Sequence, residues 1–252
     1  MEENTTYSCD GFERGLSDLG IRLTETQRQQ FLDYYKLLIQ WNSFMNLTAI
    51  TEFDEVVTRH FLDSLSLVKA VEKETLENGT VRRMIDVGTG AGFPGIPLKI
   101  VFPSLEVCLL DSLNKRVRFL REAAETLNLT GIEAVHGRAE DYGKNPDYRE
   151  NFDLCVSRAV ANLSLLSEYC LPFVKQGGLF VSYKSGNIRE ELEQSGKAVE
   201  ILGGKTEQTC FFRLAETDMD RSLVCIRKVK ATPKKYPRKA GVPAKEPLGN
   251  TK

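Results

Sequence analysis

The chain has 252 residues, 41% of them hydrophobic and 27% charged, with a formal net charge of −1. That is enough apolar material for one large buried core, and it excludes a wholly disordered chain. No apolar run approaches the roughly 18 residues a spanning helix needs, so a membrane protein is excluded as well. The opening MEENTTYSCD is polar, does not read as a secretory signal, and leads to the expectation of a cytoplasmic protein.

From Thr24 to Asn42, Phe31, Tyr34, Tyr35, Leu38 and Trp41 recur at the three- and four-residue spacing of one helix face. A second helix is expected to start at an Asp54 N-cap, with Val57, Phe61, Leu65 and Val68 on its apolar stripe. Residues 1–80 therefore read as a helical segment packed on the core, closed by the turn Glu77-Asn78-Gly79. Arg59 and His60 lie on this second helix. For His60 the plainer reading is a packing contact with Asp63 three residues on; the sharper one is contact with a binding partner by Arg59 or His60.

Beyond Gly79 short apolar runs alternate with helical stretches, the pattern of a parallel sheet covered by helices. The strands expected are Met84–Val87, Val107–Leu110, Ile132–Val135, Leu154–Ser157 and Leu179–Tyr183. The helices expected are Gly95–Val101, Asn114–Leu127, Leu163–Val174 and Ile188–Leu202. Gln208–Leu214 and Ser222–Lys228 read as a closing antiparallel hairpin.

The tail, 231–252, is punctuated by Pro233, Pro237, Pro243 and Pro247 and reads as extended and weakly ordered in isolation. Between Arg227 and Lys245 there are eight basic residues and no acid, a local charge of +8 that leaves −9 for the remainder. Such asymmetry points to an anionic polymer as partner, or to a tail that only aids solubility. The six cysteines are scattered, without a C-x-x-C pair, and suit reduced, packed thiols. His60 and His136 stand far apart in no metal-binding context, so no catalytic metal is expected.

The most informative segment is Asp86-Val87-Gly88-Thr89-Gly90-Ala91-Gly92-Phe93-Pro94-Gly95, a strand, an acid and glycines leading into a helix. Glycines here let a ligand lie against bare main chain. The dinucleotide pattern G-x-G-x-x-G fails because Phe93 occupies its third glycine, and no G-K-S or G-K-T follows to make a P-loop. The remaining G-x-G-x-G suits an S-adenosyl cofactor, which has no pyrophosphate to cradle. Asp111, about 20 residues after the turn, stands where an acid can accept from ribose hydroxyls. Gly137 to Asp141 can offer a backbone amide and a carboxylate to an adenine edge, or serve as helix-cap chemistry.

After the fourth strand, Arg158-Ala159-Val160-Ala161-Asn162 contains neither the Asn/Asp-Pro-Pro-aromatic motif of amine methylation nor the Pro-Cys of carbon methylation. Attack by a ring nitrogen lone pair needs neither, since no proton has to leave first, and catalysis is then mostly positioning. Arg158 is a candidate for contact with cofactor or base.

These residues resemble the bacterial RsmG family, also called GidB. The resemblance rests on Trp41-Asn42, Asn46 to Ile50, Arg59 to Leu65, Asp86 to Leu98, Leu110 to Arg116, Gly137 to Asp141, Ser157-Arg158-Ala159 and Tyr236 to Lys239. It implies a Rossmann-like class I methyltransferase fold, with a seven-stranded, mostly parallel sheet and an N-terminal helical extension. It further implies S-adenosyl-L-methionine as cofactor and N7 of a guanine in the 530 loop of 16S ribosomal RNA as target. The partner is then 16S RNA or the small ribosomal subunit, with no stable protein partner evident.

By the family pattern cofactor contacts fall on Gly88, Phe93, Ala139, Glu140 and Arg158; Gly90 and Asp111 are added from the glycine-turn and ribose arguments. Arg158 and Lys184 are the positioning candidates. Arg59, His60, Lys184, Lys234, Lys235, Arg238 and Lys239 are the candidates for RNA contact. One departure is Lys184-Ser185-Gly186, where relatives often have Lys followed directly by Gly. Residues 81–230 form the expected cofactor-binding domain. The rival readings are a small-molecule methyltransferase, which gives the basic tail no role, and a non-catalytic RNA-binding protein, which gives the glycine turn none.

Overall fold

The computed structural model describes residues 10–158, 161–215 and 217–249. It opens with α1 (Asp10–Asp18), a helix the periodicity did not announce, followed by α2 (Glu25–Met45). Thr24 caps α2 in a reciprocal box, Gln27 N–H donating to the Thr24 hydroxyl and Thr24 N–H to the Gln27 side chain. The helix ends at Asn46, whose left-handed φ of 50° is tolerable for a short polar side chain. Its stripe of Phe31, Tyr34, Tyr35 and Leu38 is buried, and the Trp41 indole donates to Glu122 across the interface at 2.9 Å.

The second helical stretch departs from expectation. Its first turn, α3 (Phe53–Val56), has Glu52 at the cap position with no side-chain cap bond, so Asp54 lies inside the helix. A wide π turn, Val57–Leu62, follows before α4 (Asp63–Leu65) and α5 (Lys73–Glu77). Val57, Phe61 and Leu65 still point inward.

The sheet then forms from β1 (Arg83–Val87), β2 (Glu106–Asp111), β3 (Ile132–His136), β4 (Phe152–Ser157), β5 (Val174–Ser185), β6 (Gly204–Arg213) and β7 (Asp220–Lys228). Between them run α6 (Gly95–Val101), α7 (Asn114–Thr126), α8 (Ala139–Tyr142), α9 (Leu163–Cys170) and α10 (Arg189–Ile201); α11 (Val242–Lys245) comes last. The seven strands are ordered β3-β2-β1-β4-β5-β7-β6. β7 runs antiparallel to both its neighbours while the other pairs are parallel, so the Rossmann-like sheet expected from the sequence is present. Because strand order reverses at β1, the carboxyl ends of β1 and β4 flank the crevice where such sheets bind ligands.

Strand residues alternate between two apolar layers, as the period of 2 requires. Met84, Leu109 and Val156 face α1, α2, α6 and α7, whereas Ile85, Leu110 and Cys155 face α9 and α10. The helix expected over Leu163–Val174 stops at Cys170. Pro172 has no N–H to continue it, and Val174 instead begins β5. The cysteines described, Cys108, Cys155, Cys170, Cys210 and Cys225, are free thiols, and Cys9 lies outside the described residues.

The stretch after β7, expected to be weakly ordered in isolation, is anchored in the folded chain. Lys228 is fully buried, donating to Leu171 O and Thr232 Oγ1 and pairing with Glu150 at 3.0 Å. Its burial lowers the ammonium pKa to about 8. Arg149 donates to the carbonyls of Thr232 and Tyr236, and Arg238 makes a two-pronged pair with buried Glu168, its shorter contact 2.6 Å. Arg238 is therefore a structural staple, not a free RNA contact. With Arg227 paired to Glu207 at 2.7 Å, the exposed cations of that run are Lys230, Lys234, Lys235, Lys239 and Lys245.

Candidate active site

The glycine turn leaves β1 with left-handed φ at Gly88, Gly90 and Gly92, a backbone that L side chains rarely adopt. At Gly92 a Cβ would also stand 2.5 Å from Ile96 and 2.8 Å from the Tyr34 hydroxyl, so α2 packs directly onto the turn. Tyr34 donates its hydroxyl to Ala91 O from within the core.

Two carboxylates hold the turn from opposite sides. Asp86 Oδ2 accepts from the Thr89 hydroxyl at 2.7 Å and from Gly95 N–H at 2.9 Å. Burial outweighs those bonds and raises the Asp86 pKa to about 6. Asp111 accepts from Gly90 N–H at 2.9 Å, from Leu113 N–H at 2.8 Å, and from Arg116 at 3.4 Å. At 3% exposure and with those donors engaged, Asp111 braces the turn and is not among the residues lining the cavity over it.

A cavity of about 430 Å³ opens over this turn, lined among others by Gly88, Leu110, Leu113, Ala139, Glu140 and Leu166. Gly88, Ala139 and Glu140 are thus brought together as the sequence proposed. Gly90 lies beside them in open space, where a Cβ would meet nothing within 4 Å. Gly241 lines the same cavity, its N–H donating to Glu140 Oε1 at 3.0 Å. The stretch after β7 therefore contributes a wall of the cavity, a role that no local pattern signalled.

Phe93 and Arg158 lie on the other side. The Phe93 side chain is buried and stacks on His60 with centroids 4.5 Å apart, while the Arg158 guanidinium sits 5.2 Å from the same ring. Arg158 donates to Asp63 Oδ2 and to Arg59 O, both at 2.9 Å, and to His60 Nδ1 at 3.1 Å. The direct His60–Asp63 contact expected from the sequence is replaced by this arginine bridge. Since arginine only donates, His60 Nδ1 must accept, which leaves the ring proton on Nε2, 2.8 Å from the Thr48 hydroxyl. Burial and the neighbouring Arg158 lower the His60 pKa to about 3, so the imidazole is neutral.

Arg158 also lines a second cavity, of about 660 Å³, with Asp63, Lys184, Glu191 and Arg221; Ala161 is shared with the first. Asp63 accepts from Arg221 Nε at 3.0 Å as well as from Arg158, tying the helical layer to β4 and β7. Lys184 is turned inward, donating to Ala161 O and pairing with Glu191 at 2.6 Å. Arg59 is exposed and paired with Glu55 at 3.2 Å, and Lys234, Lys235 and Lys239 lie on the surface after β7. The sequence reading missed Asp63 as a shared ligand of two arginines, Glu191, and Arg221. Only Asp63 carried a signal, through its place in the Arg59 to Leu65 segment.

A glycine turn at the strand-order reversal of a seven-stranded sheet, with a cavity over it, defines the class I methyltransferase fold. Residues 27–224 match the family model described as GidB, rRNA small subunit methyltransferase G. Ribosomal RNA small subunit methyltransferase G of Lachnoclostridium phytofermentans is 55% identical over 98% of each chain. The protein of the same name from Acetivibrio thermocellus is 52% identical over 93% of this chain and 94% of its own. The chain belongs to the GidB family. Among solved structures, a mutant of MtNAS aligns over 87% of this chain and 82% of its own, with a TM-score of 0.52 at 17% identity, a likeness of fold alone.

Proposed function

We propose that the protein transfers a methyl group from S-adenosyl-L-methionine to N7 of a guanine in the 530 loop of 16S ribosomal RNA. Membership of a family described as rRNA small subunit methyltransferase G carries this reading, because it supplies the substrate class that a fold does not. The cavity fits the cofactor: Gly88 leaves the main chain bare, Leu110, Leu113 and Leu166 offer apolar walls to a purine, and buried Glu140 supplies a fixed acceptor. When bound, that group supplies an electrophilic methyl.

What the chain contributes is position. Asp86 and Asp111 fix the turn, and Asp63 with neutral His60 fixes Arg158 on the lining of the second cavity. A ring nitrogen such as N7 carries no proton, so a general base is not required. The carboxylates facing the second cavity, Asp63 and Glu191, are both ion-paired, which supports chemistry by alignment. The sheet region 81–230, with Gly241 from the stretch after it, serves as the cofactor-binding part, and residues 10–80 as a packed helical layer. Lys234, Lys235 and Lys239 of 231–252, with Arg59, hold RNA phosphates.

The test is to incubate unmodified 16S RNA with protein and cofactor, then treat it with mild reductant and base, which cleave at N7-methylguanosine. New cleavage in the 530 loop is expected. Methyl incorporation without cleavage would place the methyl on another atom.

A further inference from the structure

The second cavity lies between the carboxyl ends of β4 and β5 and the first turn of α10, meeting the cofactor cavity at Ala161. Its charges are uneven in a way that excludes a plain phosphate site. Asp63 spends both oxygens on Arg158 and Arg221. Glu191 does not. Its Oε1 accepts from Leu163 N–H at 2.5 Å and from Lys184 Nζ at 2.6 Å, while Oε2 has no hydrogen-bond partner among the described residues and the side chain is 27% exposed.

Lys184, also on the cavity lining but only 9% exposed, spends two of its three protons on Glu191 Oε1 and Ala161 O, which leaves one without a partner among the described residues. A carboxylate oxygen without a protein partner thus stands beside an ammonium with a proton to spare. A phosphate would be repelled by the carboxylate, and a sugar hydroxyl needs no such pairing of charges. A base edge carrying N–H donors next to a carbonyl acceptor matches it: guanine presents N1–H and N2–H₂ beside O6. Adenine reverses the pattern, setting its N1 acceptor against the carboxylate and its N6 donor against the ammonium.

We propose that this cavity receives the target base, turned out of its stack, with Glu191 Oε2 accepting from guanine N1–H and N2–H₂ and Lys184 Nζ donating to O6. The inference rests on the guanine reading above and adds the residues that choose the base. Enzymes acting on a base read its Watson–Crick edge in this manner after extruding it. Held by that edge, guanine leaves its N7 edge free to face the cofactor cavity across Ala161. Lys184 and Glu191 are then specificity residues that touch the substrate.

The experiment compares RNA fragments carrying guanosine or inosine at the methylated position, inosine lacking only the N2 amine. Wild type should lose on the order of tenfold or more in kcat/KM on inosine, the effect of removing one donor to a charged acceptor. Glu191→Gln puts an amide where Oε2 was; it should be slower on guanosine and should treat the two fragments alike. The ratio between substrates is independent of the fraction of variant that folds. Glu191→Asp, which sets the carboxylate one methylene back, covers the case of a rate too low for a ratio and should give a reduced preference.

Equal wild-type rates on both fragments, or a wild-type preference surviving in either variant, overturns the proposal while N7-methylguanosine still forms. Absence of N7-methylguanosine from wild type on the guanosine fragment overturns the guanine reading itself, and this proposal with it.

Discussion

The helical layer before β1 and the stretch after β7 both lie outside the sheet, and each is tied to the rest of the fold by an arginine–carboxylate pair. They are anchored in different ways. The layer is held by interlocked aromatics, with Phe31 and Phe61 rings 4.9 Å apart and Tyr34 5.3 Å from Phe93, and the Asp63 pairs are added to that packing. The later stretch buries one large aromatic, Tyr236, with Pro237 and Pro243, and is held chiefly by Glu168, Arg149 and Lys228 through polar bonds. Apolar anchoring repeats with the helix period and is visible in a sequence. Polar anchoring joins residues far apart in the chain and is not.

Removing the carboxylate of the layer should have the largest effect. Asp63→Ala leaves Arg158 and Arg221 without their shared partner, and a loss of about 3–5 kcal/mol is expected in denaturant unfolding. A loss below about 1 kcal/mol would mean that the aromatics alone hold the layer.

The matching change on the other side, Glu168→Ala, should cost less, about 2 kcal/mol, because the part-exposed Arg238 can turn to water. It should nevertheless weaken cofactor binding in calorimetry, since Gly241 lines that cavity. Unchanged affinity would separate the stretch from the site.

Acidification sharpens the contrast within the core. The folded pKa of His60, about 3, lies below its ordinary 6.5, so the unfolded chain takes the proton first and stability falls as pH drops through that window. Between pH 7 and 5 the loss is about 2 kcal/mol. Asp86 acts oppositely: its folded pKa of about 6 lies above 3.8, so the folded chain takes the proton first, and the gain over the same range is about 1 kcal/mol. The His60→Gln protein should therefore gain stability on going from pH 7 to 5 and the Asp86→Asn protein should lose it. Parallel pH profiles for the two would contradict these burials.

The smallest effect on the fold is expected from Lys234, Lys235 and Lys239. Their joint replacement by Ala should change stability by less than about 0.5 kcal/mol. The log–log salt slope of RNA binding should drop by about 2, on the single-strand coefficient of 0.7 per phosphate contact. A slope equal to wild type would remove these lysines from the RNA surface.

Much of the fold was legible because strands and helices carry their own periods: the Asp86 to Gly95 segment, the five parallel strands and the closing hairpin lie where the patterns put them. Gly88, Ala139 and Glu140 were legible as a site because each follows a strand end on one edge of the sheet. Asp111 is held more tightly than its position after a strand announced, because that position does not say which donors a carboxylate meets, and here backbone N–H groups reach it. Three cations of the basic run, Arg227, Lys228 and Arg238, are not free charges, because their acids, Glu207, Glu150 and Glu168, lie elsewhere in the chain. A charge count along the sequence cannot balance them.

The π turn at Val57–Leu62 has a consequence for engineering. It is one step wider than a regular coil, and the residues that grip Arg158 sit on it and just beyond it. Deleting any single residue there would let the coil relax to about 100° per residue and carry Asp63 away from both guanidinium groups. Such a shortened chain could keep its helix content and melt as one unit, yet its catalytic edge would have lost its alignment.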